Sequence, residues 1–154
     1  MEEIKKEPIT VLFILLNILI FLVVDFTGGS ENTAHMIECG AAYPPLILEN
    51  EEIYRLFTCM FLHFGIYHIA NNMLVLFVLG QRLEPVVGKI KFILIYLLGG
   101  LGGNIFSFIM EMKSADYAVS AGASGAVFAV MGAMLYVVTV SYTHLRAHET
   151  LANL

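Results

Sequence analysis

Four long stretches of the chain contain no charged residue and are mostly apolar, and short polar segments separate most of them. They are 16, 24, 19 and 24 residues long: Ile9–Val24, Leu56–Leu79, Phe92–Met110 and Tyr117–Val140. A helix needs about 17–25 apolar residues to cross a bilayer core about 30 Å thick. The pattern predicts an all-α fold, a polytopic transmembrane helix bundle with spans at about 9–26, 56–80, 91–110 and 117–140 and a long loop after the first span.

Composition excludes several classes of protein. Hydrophobic residues make up 58% of the 154 residues and charged residues 14%, whereas soluble domains have about 45–50% and about 25%. This balance argues against a soluble domain, a nucleic-acid-binding protein and a secreted disulfide scaffold. We therefore expect contact with the lipid bilayer and no nucleic-acid partner.

Charged residues outside the apolar stretches predict the orientation in the membrane. Basic residues flank the first span and the connection between the second and third: Lys5, Lys6, Arg82, Lys89 and Lys91. The loop 26–55 has one basic residue, Arg55, against five glutamates. Basic residues concentrate on the cytoplasmic side. We expect a multi-pass protein of the cell membrane, with a cytoplasmic N-terminus, an external acidic loop and no cleaved signal peptide.

Neither cysteine nor histidine spacing indicates a metal or another cofactor. Cys39 and Cys59 are too few for a zinc site, and no His-Glu-x-x-His motif is present. The two thiols can pair if their loop faces an oxidising compartment, or they can remain free. The sequence leaves both possibilities open.

Small residues concentrate in the third and fourth stretches. The third has four glycines, and the fourth has a small-residue face with a spacing of four: Gly99, Gly100, Gly102 and Gly103, then Gly125, Ala129 and Ala133. Lipid tails supply no hydrophobic driving force between helices, so small residues allow the close packing that holds such helices together. We expect these two helices to be in contact.

A few polar side chains interrupt the apolar stretches. His68 and Asn72 are four residues apart and share a helix face, His63 lies just before them, and Ser124 stands within Gly-Ala-Ser-Gly. Such groups are functional candidates because they are costly inside a membrane. Each has a structural alternative, since a serine often bonds to a carbonyl one turn earlier and His or Asn can join helices. A polar transport path is a further alternative, although no inverted repeat is visible.

Taken together, these motifs resemble the rhomboid family of intramembrane serine proteases. His63 to Asn72 resembles the family's His-x4-His-x3-Asn helix, and Gly122 to Gly125 resembles its Gly-x-Ser-Gly. Three further elements follow the same pattern and order: Tyr54-Arg55 in place of Trp-Arg, Gly80-x3-Glu84-x3-Gly88, and Gly132 eight residues after Ser124. The matching elements extend from about residue 9 to residue 140, as a partial rhomboid membrane domain.

The resemblance implies roles for individual residues. Ser124 would be the nucleophile, and His68, Asn72 and the Ser124 backbone N–H would stabilise the oxyanion. His63, Gly122 and Phe128 would line the substrate site, and Phe128 stands where the family often has a tyrosine against the catalytic histidine. Structural roles would fall to five residues: Tyr54, Arg55, Glu84, Gly125 and Gly132. The implied substrates are transmembrane segments of other proteins.

The chain departs from the family in its spans and its general base. The rhomboid core has six spans with the base histidine on the sixth, whereas the sequence predicts four and then a polar tail, 141–154. The tail is either a cytoplasmic end or foreign to the gene. His144 and His148 in it lie on the wrong side to act as base, and a serine needs a base within reach. We therefore expect this truncated chain to be inactive; a non-catalytic, membrane-helix-binding relative is the alternative.

Overall fold

In the computed structural model, helices make up most of the residues described, which are 7–115 and 117–152, with side chains through 140. The elements are α1 Pro8–Gly28, α2 Thr33–Glu38, α3 Pro44–Glu49, α4 Arg55–Thr58, a 3₁₀ turn Cys59–Phe61, α5 Gly65–Val87, α6 Lys89–Ser114 and α7 Ser124–Ala152. The described residues form an all-α bundle, as predicted, with one isolated β-bridge between Ala42 and Ser120. Lys5 and Lys6, used to predict orientation, lie outside the described residues.

By length and apolar composition, α1 and α6 can each cross a membrane. A third candidate is the bent pair Arg55–Phe61 and Gly65–Val87, and the apolar part of α7, Ser124–Val140, is shorter. The second predicted span is thus broken near its N-terminal end, where the two parts differ in direction by 87°. Residues 62–64 are non-helical, and Gly65 starts α5 with a φ of +73°, which glycine adopts without steric cost.

α7 begins at Ser124, seven residues later than the fourth predicted span. Residues 117–123 are non-helical, and the backbone groups of Ser120, Gly122 and Ala123 bond to other segments instead. At its other end α7 continues to Ala152, so its backbone includes most of the polar tail. The side chains of His144 and His148 lie outside the described residues.

A buried carboxylate joins α1 to α5 at the end opposite the long loop. Glu84 is 1% exposed, and its two oxygens accept the backbone N–H groups of Ile9 and Thr10 at 3.0 and 2.8 Å. The Thr10 hydroxyl donates to it as well, at 2.8 Å. The first N–H groups of a helix have no partner within the helix, and a negative charge at this end is favourable. Glu84 therefore caps α1 from a neighbouring helix.

Arg55 ties the long loop together on the other side. It is 6% exposed and donates to the Ile37 and Ala41 carbonyls at 2.6 and 3.1 Å. It also bonds to the Glu52 carboxylate at 2.6 Å, and its guanidinium lies 5.5 Å from the ring centre of Tyr54. These contacts join three parts of the loop, and the structural role expected for Arg55 stays a prediction. Tyr54 is itself 55% exposed and contributes through its hydroxyl, which donates to Glu52.

The α6–α7 contact is made by small residues, as the sequence predicts. Gly99 lies against Ala129, and Gly125 lies between Gly100 and Gly103. A methyl group on Gly125 would be 3.4 Å from the Gly100 carbonyl oxygen and 3.6 Å from the Gly103 Cα. The two backbones are thus nearly in van der Waals contact, which makes the register of α6 against α7 specific.

Two of the glycines singled out in the sequence do not take part in this contact. A Cβ on Gly102 or Gly132 would meet no atom within 4 Å in the described part of the chain. Gly102 is exposed on the side of α6 away from α7. The structural role expected for Gly132 stays a prediction.

Candidate active site

The segment before Ser124 is held in a non-helical conformation by hydrogen bonds to three places earlier in the chain. Ser120 exchanges two backbone hydrogen bonds with Ala42, of 2.8 and 2.9 Å. The Gly122 N–H donates to the Cys59 carbonyl at 2.9 Å, and the Ala123 N–H donates to His63 Nε2 at 3.3 Å. The φ of Gly122, +142°, is not helical, so α7 cannot extend back through this residue and begins at Ser124.

Gly122 lies directly against the two residues predicted to stabilise an oxyanion. A Cβ on Gly122 would be 2.7 and 2.8 Å from Cε1 and Nε2 of His68, and 3.8 Å from Asn72 Nδ2. Its φ of +142° is also one that residues with a side chain rarely adopt. The structure thus brings the His68 and Asn72 side chains to the peptide that precedes Ala123 and Ser124. Only glycine can occupy this position without displacing His68.

Asn72 carries an unused donor in this site. It is 8% exposed, and its Nδ2 has no hydrogen-bond partner among the described residues. Leaving a buried donor unpaired costs about 1–3 kcal/mol, so such groups are uncommon unless something else binds them. A developing oxyanion needs donors of this kind, neutral and already in place.

Ser124 is exposed at the first position of α7. No hydrogen bond to its hydroxyl is formed within the described part of the chain, so it does not bond back to a carbonyl. The free N–H groups and the positive end of the helix dipole also lie here. Both features favour negative charge beside the Ser124 hydroxyl.

An open cavity of about 410 Å³ borders Ser124. Phe128, 64% exposed, and Gly122 line it, and Asn104, Ser107 and Ser120 form a polar wall. None of the described lining residues is a histidine or a carboxylic acid. The cavity could admit an extended peptide, but within the described residues it offers the serine no general base.

His63 does not line this cavity, although we expected it to contact substrate. It is 1% exposed, its Nε2 is used by the Ala123 N–H, and its ring lies 5.2 Å from the His68 ring, centre to centre, at 71°. The ring is covered because the segment ending in Ala123 packs over it. A role in substrate contact remains a prediction that this placement does not favour.

Sequence reasoning missed Asn104, which holds the broken span in place. Its Nδ2 donates to the Leu56 carbonyl at 2.8 Å and lies 3.1 Å from Cys59 Sγ. Through Cys59, whose carbonyl accepts the Gly122 N–H, it supports the segment before the serine. The signal was present, since Asn104 is a polar residue in an uncharged apolar stretch.

Both cysteines are free thiols in the structure, Cys59 buried and Cys39 partly buried. Burial raises the pKa of the Cys39 thiol, and the neighbouring Glu38 carboxylate raises it further. Within the described ranges, no three histidine, cysteine or acidic side chains come together in a way that could hold a metal ion.

Comparison with known proteins agrees with these features. A family model described as the Rhomboid domain matches residues 50–151. The chain is 44% identical over 132 residues to the Rhomboid protease GluP of Bacillus subtilis, covering 86% of this chain and 25% of that protein. It is 38% identical over 104 residues to RHOMBOID-like protein 1 of Arabidopsis thaliana, with 68% and 26% covered. The Rhomboid-like protease 3 of Toxoplasma gondii is 34% identical over 114 residues, with 74% and 41% covered.

The matched region thus spans between a quarter and about two fifths of the length of these relatives. The family model covers well over half of this chain, and apolar helices of spanning length accompany it. The chain is an integral membrane protein that belongs to the rhomboid family.

Proposed function

We propose that this chain provides the nucleophile and the oxyanion-stabilising part of an intramembrane serine endopeptidase. The observation that supports this most is the packing of Gly122 against both His68 and Asn72, two residues before an exposed serine. In this proposal the Ser124 hydroxyl attacks a peptide carbonyl of a transmembrane segment. His68, the unpaired Asn72 amide and the Ser124 N–H then stabilise the oxyanion.

The proposed reaction is an acyl transfer through a Ser–His dyad. A base histidine removes the Ser124 proton as the hydroxyl oxygen bonds to the substrate carbonyl carbon, and it then protonates the leaving amine. The acyl-enzyme ester is cleaved by water. Phe128 and the Gly122 backbone form part of the substrate site, because both border the cavity at Ser124.

Because no described residue at the cavity can act as the base, we infer that the 154-residue chain alone is unreactive. The test is a fluorophosphonate probe added to the purified chain in detergent micelles, with Ser124→Ala as the control. The expected result is no labelling above that control. Labelling that disappears in Ser124→Ala would overturn the inactivity.

The protease itself is tested in the complete gene product, with a transmembrane substrate in liposomes. Removing one oxyanion donor, in His68→Ala or Asn72→Ala, is expected to lower turnover roughly 10²- to 10³-fold. Asn71→Ala is a matched control, since Asn71 is exposed and adjacent to Asn72. Turnover that is unchanged in both site variants would refute the assignment of the oxyanion donors.

A rhomboid-like protein that binds membrane helices without cleaving them is the second candidate, favoured by the absence of a base among the described cavity residues. The same liposome assay separates the two. Capture of a transmembrane segment without cleavage, unaffected by Ser124→Ala, would support the binder.

We further propose that the N-terminus is cytoplasmic and that the Ser124 cavity opens on the external side of the cell membrane. The basic residues between α5 and α6 support this orientation, because they cluster at the end opposite the acidic loop. Single introduced cysteines at Glu49 and Gln81, in a cysteine-free background, would test it. A membrane-impermeant thiol reagent should label Glu49→Cys in intact cells and leave Gln81→Cys unlabelled.

A further inference from the structure

His63 is a buried polar side chain whose function the substrate site does not explain. It is 1% exposed, and burying a polar ring in an apolar environment is costly unless the ring is hydrogen-bonded. Its Nε2 accepts the N–H of Ala123, 60 residues later in the chain, at 3.3 Å. The partner is the residue directly before the proposed nucleophile.

We propose that His63 is a positioning residue, whose Nε2 holds the Ala123 N–H and thereby orients the Ser124 N–H toward the oxyanion. The catalytic consequence of this arrangement rests on the proposed protease function. The arrangement itself concerns only the backbone of residues 122–124 and the His63 ring.

The two peptide planes that meet at Ala123 explain how the His63 hydrogen bond has this effect. Ala123 is held at its N–H by His63 and at its carbonyl by the Val127 N–H, at 2.9 Å. The peptide unit is planar, so the Ala123 carbonyl and the Ser124 N–H point in fixed, opposite directions. The Val127 bond therefore fixes the peptide plane that contains the Ser124 N–H, and the His63 bond fixes the preceding plane. Together they hold φ and ψ of Ala123, and with them the direction of the Ser124 N–H, before any substrate arrives. Such pre-orientation is what an oxyanion site requires.

The same ring also contacts a second oxyanion donor. His63 and His68 meet edge to face, with ring centres 5.2 Å apart. His68 in turn occupies the space where a Cβ on Gly122 would lie. His63 is thus packed between the backbone that carries the Ser124 N–H and the His68 side chain, the two kinds of donor in the proposed oxyanion site. A change in the His63 ring would therefore shift both donors.

The hydrogen bond requires a particular tautomer, which can be measured. A neutral imidazole that accepts at Nε2 carries its proton on Nδ1. The chain would be labelled with ¹⁵N-histidine in detergent micelles, with His63→Gln to assign the signal. We expect ¹⁵N shifts of an Nδ1-protonated ring for His63. A ring protonated at Nε2 would overturn the proposal, and this measurement on the unchanged chain does not depend on any variant folding.

Hydrogen exchange tests the contact from the side of Ala123. In His63→Leu, which removes the acceptor at similar size, the Ala123 amide should exchange at least about tenfold faster, the equivalent of about 1.4 kcal/mol. The amides of Gly122 and Val127, bonded to other groups, should keep their rates. His63→Gln places an oxygen near the position of Nε2 and should restore protection. Unchanged Ala123 exchange in His63→Leu, or loss of protection at all three amides, would refute a local role.

Turnover of the complete gene product tests the catalytic consequence. His63→Leu should lower kcat on the order of 10- to 100-fold with KM unchanged, and His63→Gln should recover most of it. Wild-type kcat in His63→Leu would overturn this consequence. If the unaltered protein cleaves nothing, the proposed function fails, whereas the tautomer and exchange results still decide the role of His63.

Discussion

Adding a single methyl group at two different positions of α6 should separate the contribution of packing to stability from that of helix propensity. A Cβ on Gly99 would overlap the Cβ of Ala129 on α7 and approach its Cα to 3.6 Å, whereas a Cβ on Gly102 would meet nothing within 4 Å. The two glycines are on the same helix, three residues apart. Gly99→Ala and Gly102→Ala are therefore a matched pair that differs mainly in contact with α7.

The expected difference in stability follows from two opposing contributions to the free energy of unfolding. Replacing glycine by alanine inside a helix favours the helix by about 1 kcal/mol, and this term is common to both variants. Overpacking a tight contact costs about 1–3 kcal/mol, and only Gly99→Ala incurs it. We therefore expect Gly99→Ala to be about 1–3 kcal/mol less stable than Gly102→Ala.

Thermal unfolding in detergent can be followed through the thiol of Cys59, which is 1% exposed and reacts with a fluorogenic maleimide only after unfolding. The partly exposed Cys39 is replaced by serine in every sample to remove its background. At this chain length, 1 kcal/mol changes Tm by roughly 2–4 °C. Equal Tm values for Gly99→Ala and Gly102→Ala would refute the close α6–α7 contact.

Three other predictions follow from hydrogen bonds and close contacts. Glu84→Ala removes the cap of α1 and should destabilise the chain by about 3 kcal/mol in the same maleimide assay, whereas the exposed Glu49→Ala should have no effect. Gly122→Ala should lower turnover of the complete gene product by about 10²-fold or more because its methyl group would displace His68, and wild-type turnover would contradict the packing at this glycine. Hydrogen bonds from Arg55, Asn50 and Tyr54 lower the pKa of the Glu52 carboxyl. The ionised carboxylate therefore stabilises the fold at a pH above the usual pKa of a carboxyl group, and this stabilisation is lost as the pH falls through the lowered pKa. Glu52→Gln should therefore weaken the loss of stability between about pH 5 and pH 3, and an identical Tm-against-pH curve would show that Glu52 contributes nothing.

Several features could be predicted from local sequence because they depend on composition and spacing alone. The uncharged stretches indicated transmembrane helices, since backbone polar groups in lipid must be bonded within the segment. The spacing of Gly125, Ala129 and Ala133 indicated a contact with the glycine-rich third stretch, and Gly125 and Ala129 do contact α6. The four-residue spacing of His68 and Asn72 placed them on one face of α5.

Other features depend on partners that are distant in the sequence. Hydropathy cannot distinguish a continuous helix from one broken at residues 62–64, because both are equally apolar. For the same reason, the apolar pattern predicted that the fourth span begins at residue 117, whereas α7 begins at Ser124. The backbone of residues 120–123 is non-helical because Ala42, Cys59 and His63 bond to it.

The same reason accounts for the polar residues whose bonding partners could not be predicted. His63 lies under Ala123, Asn104 holds the segment that contains Cys59, and Glu84 caps a helix 74 residues earlier in the chain. By itself, the sequence indicated the long apolar helices and most of the polar residues within them. Only the tertiary structure decided what those residues bind, because a buried hydrogen-bonding group takes the partner that folding brings to it.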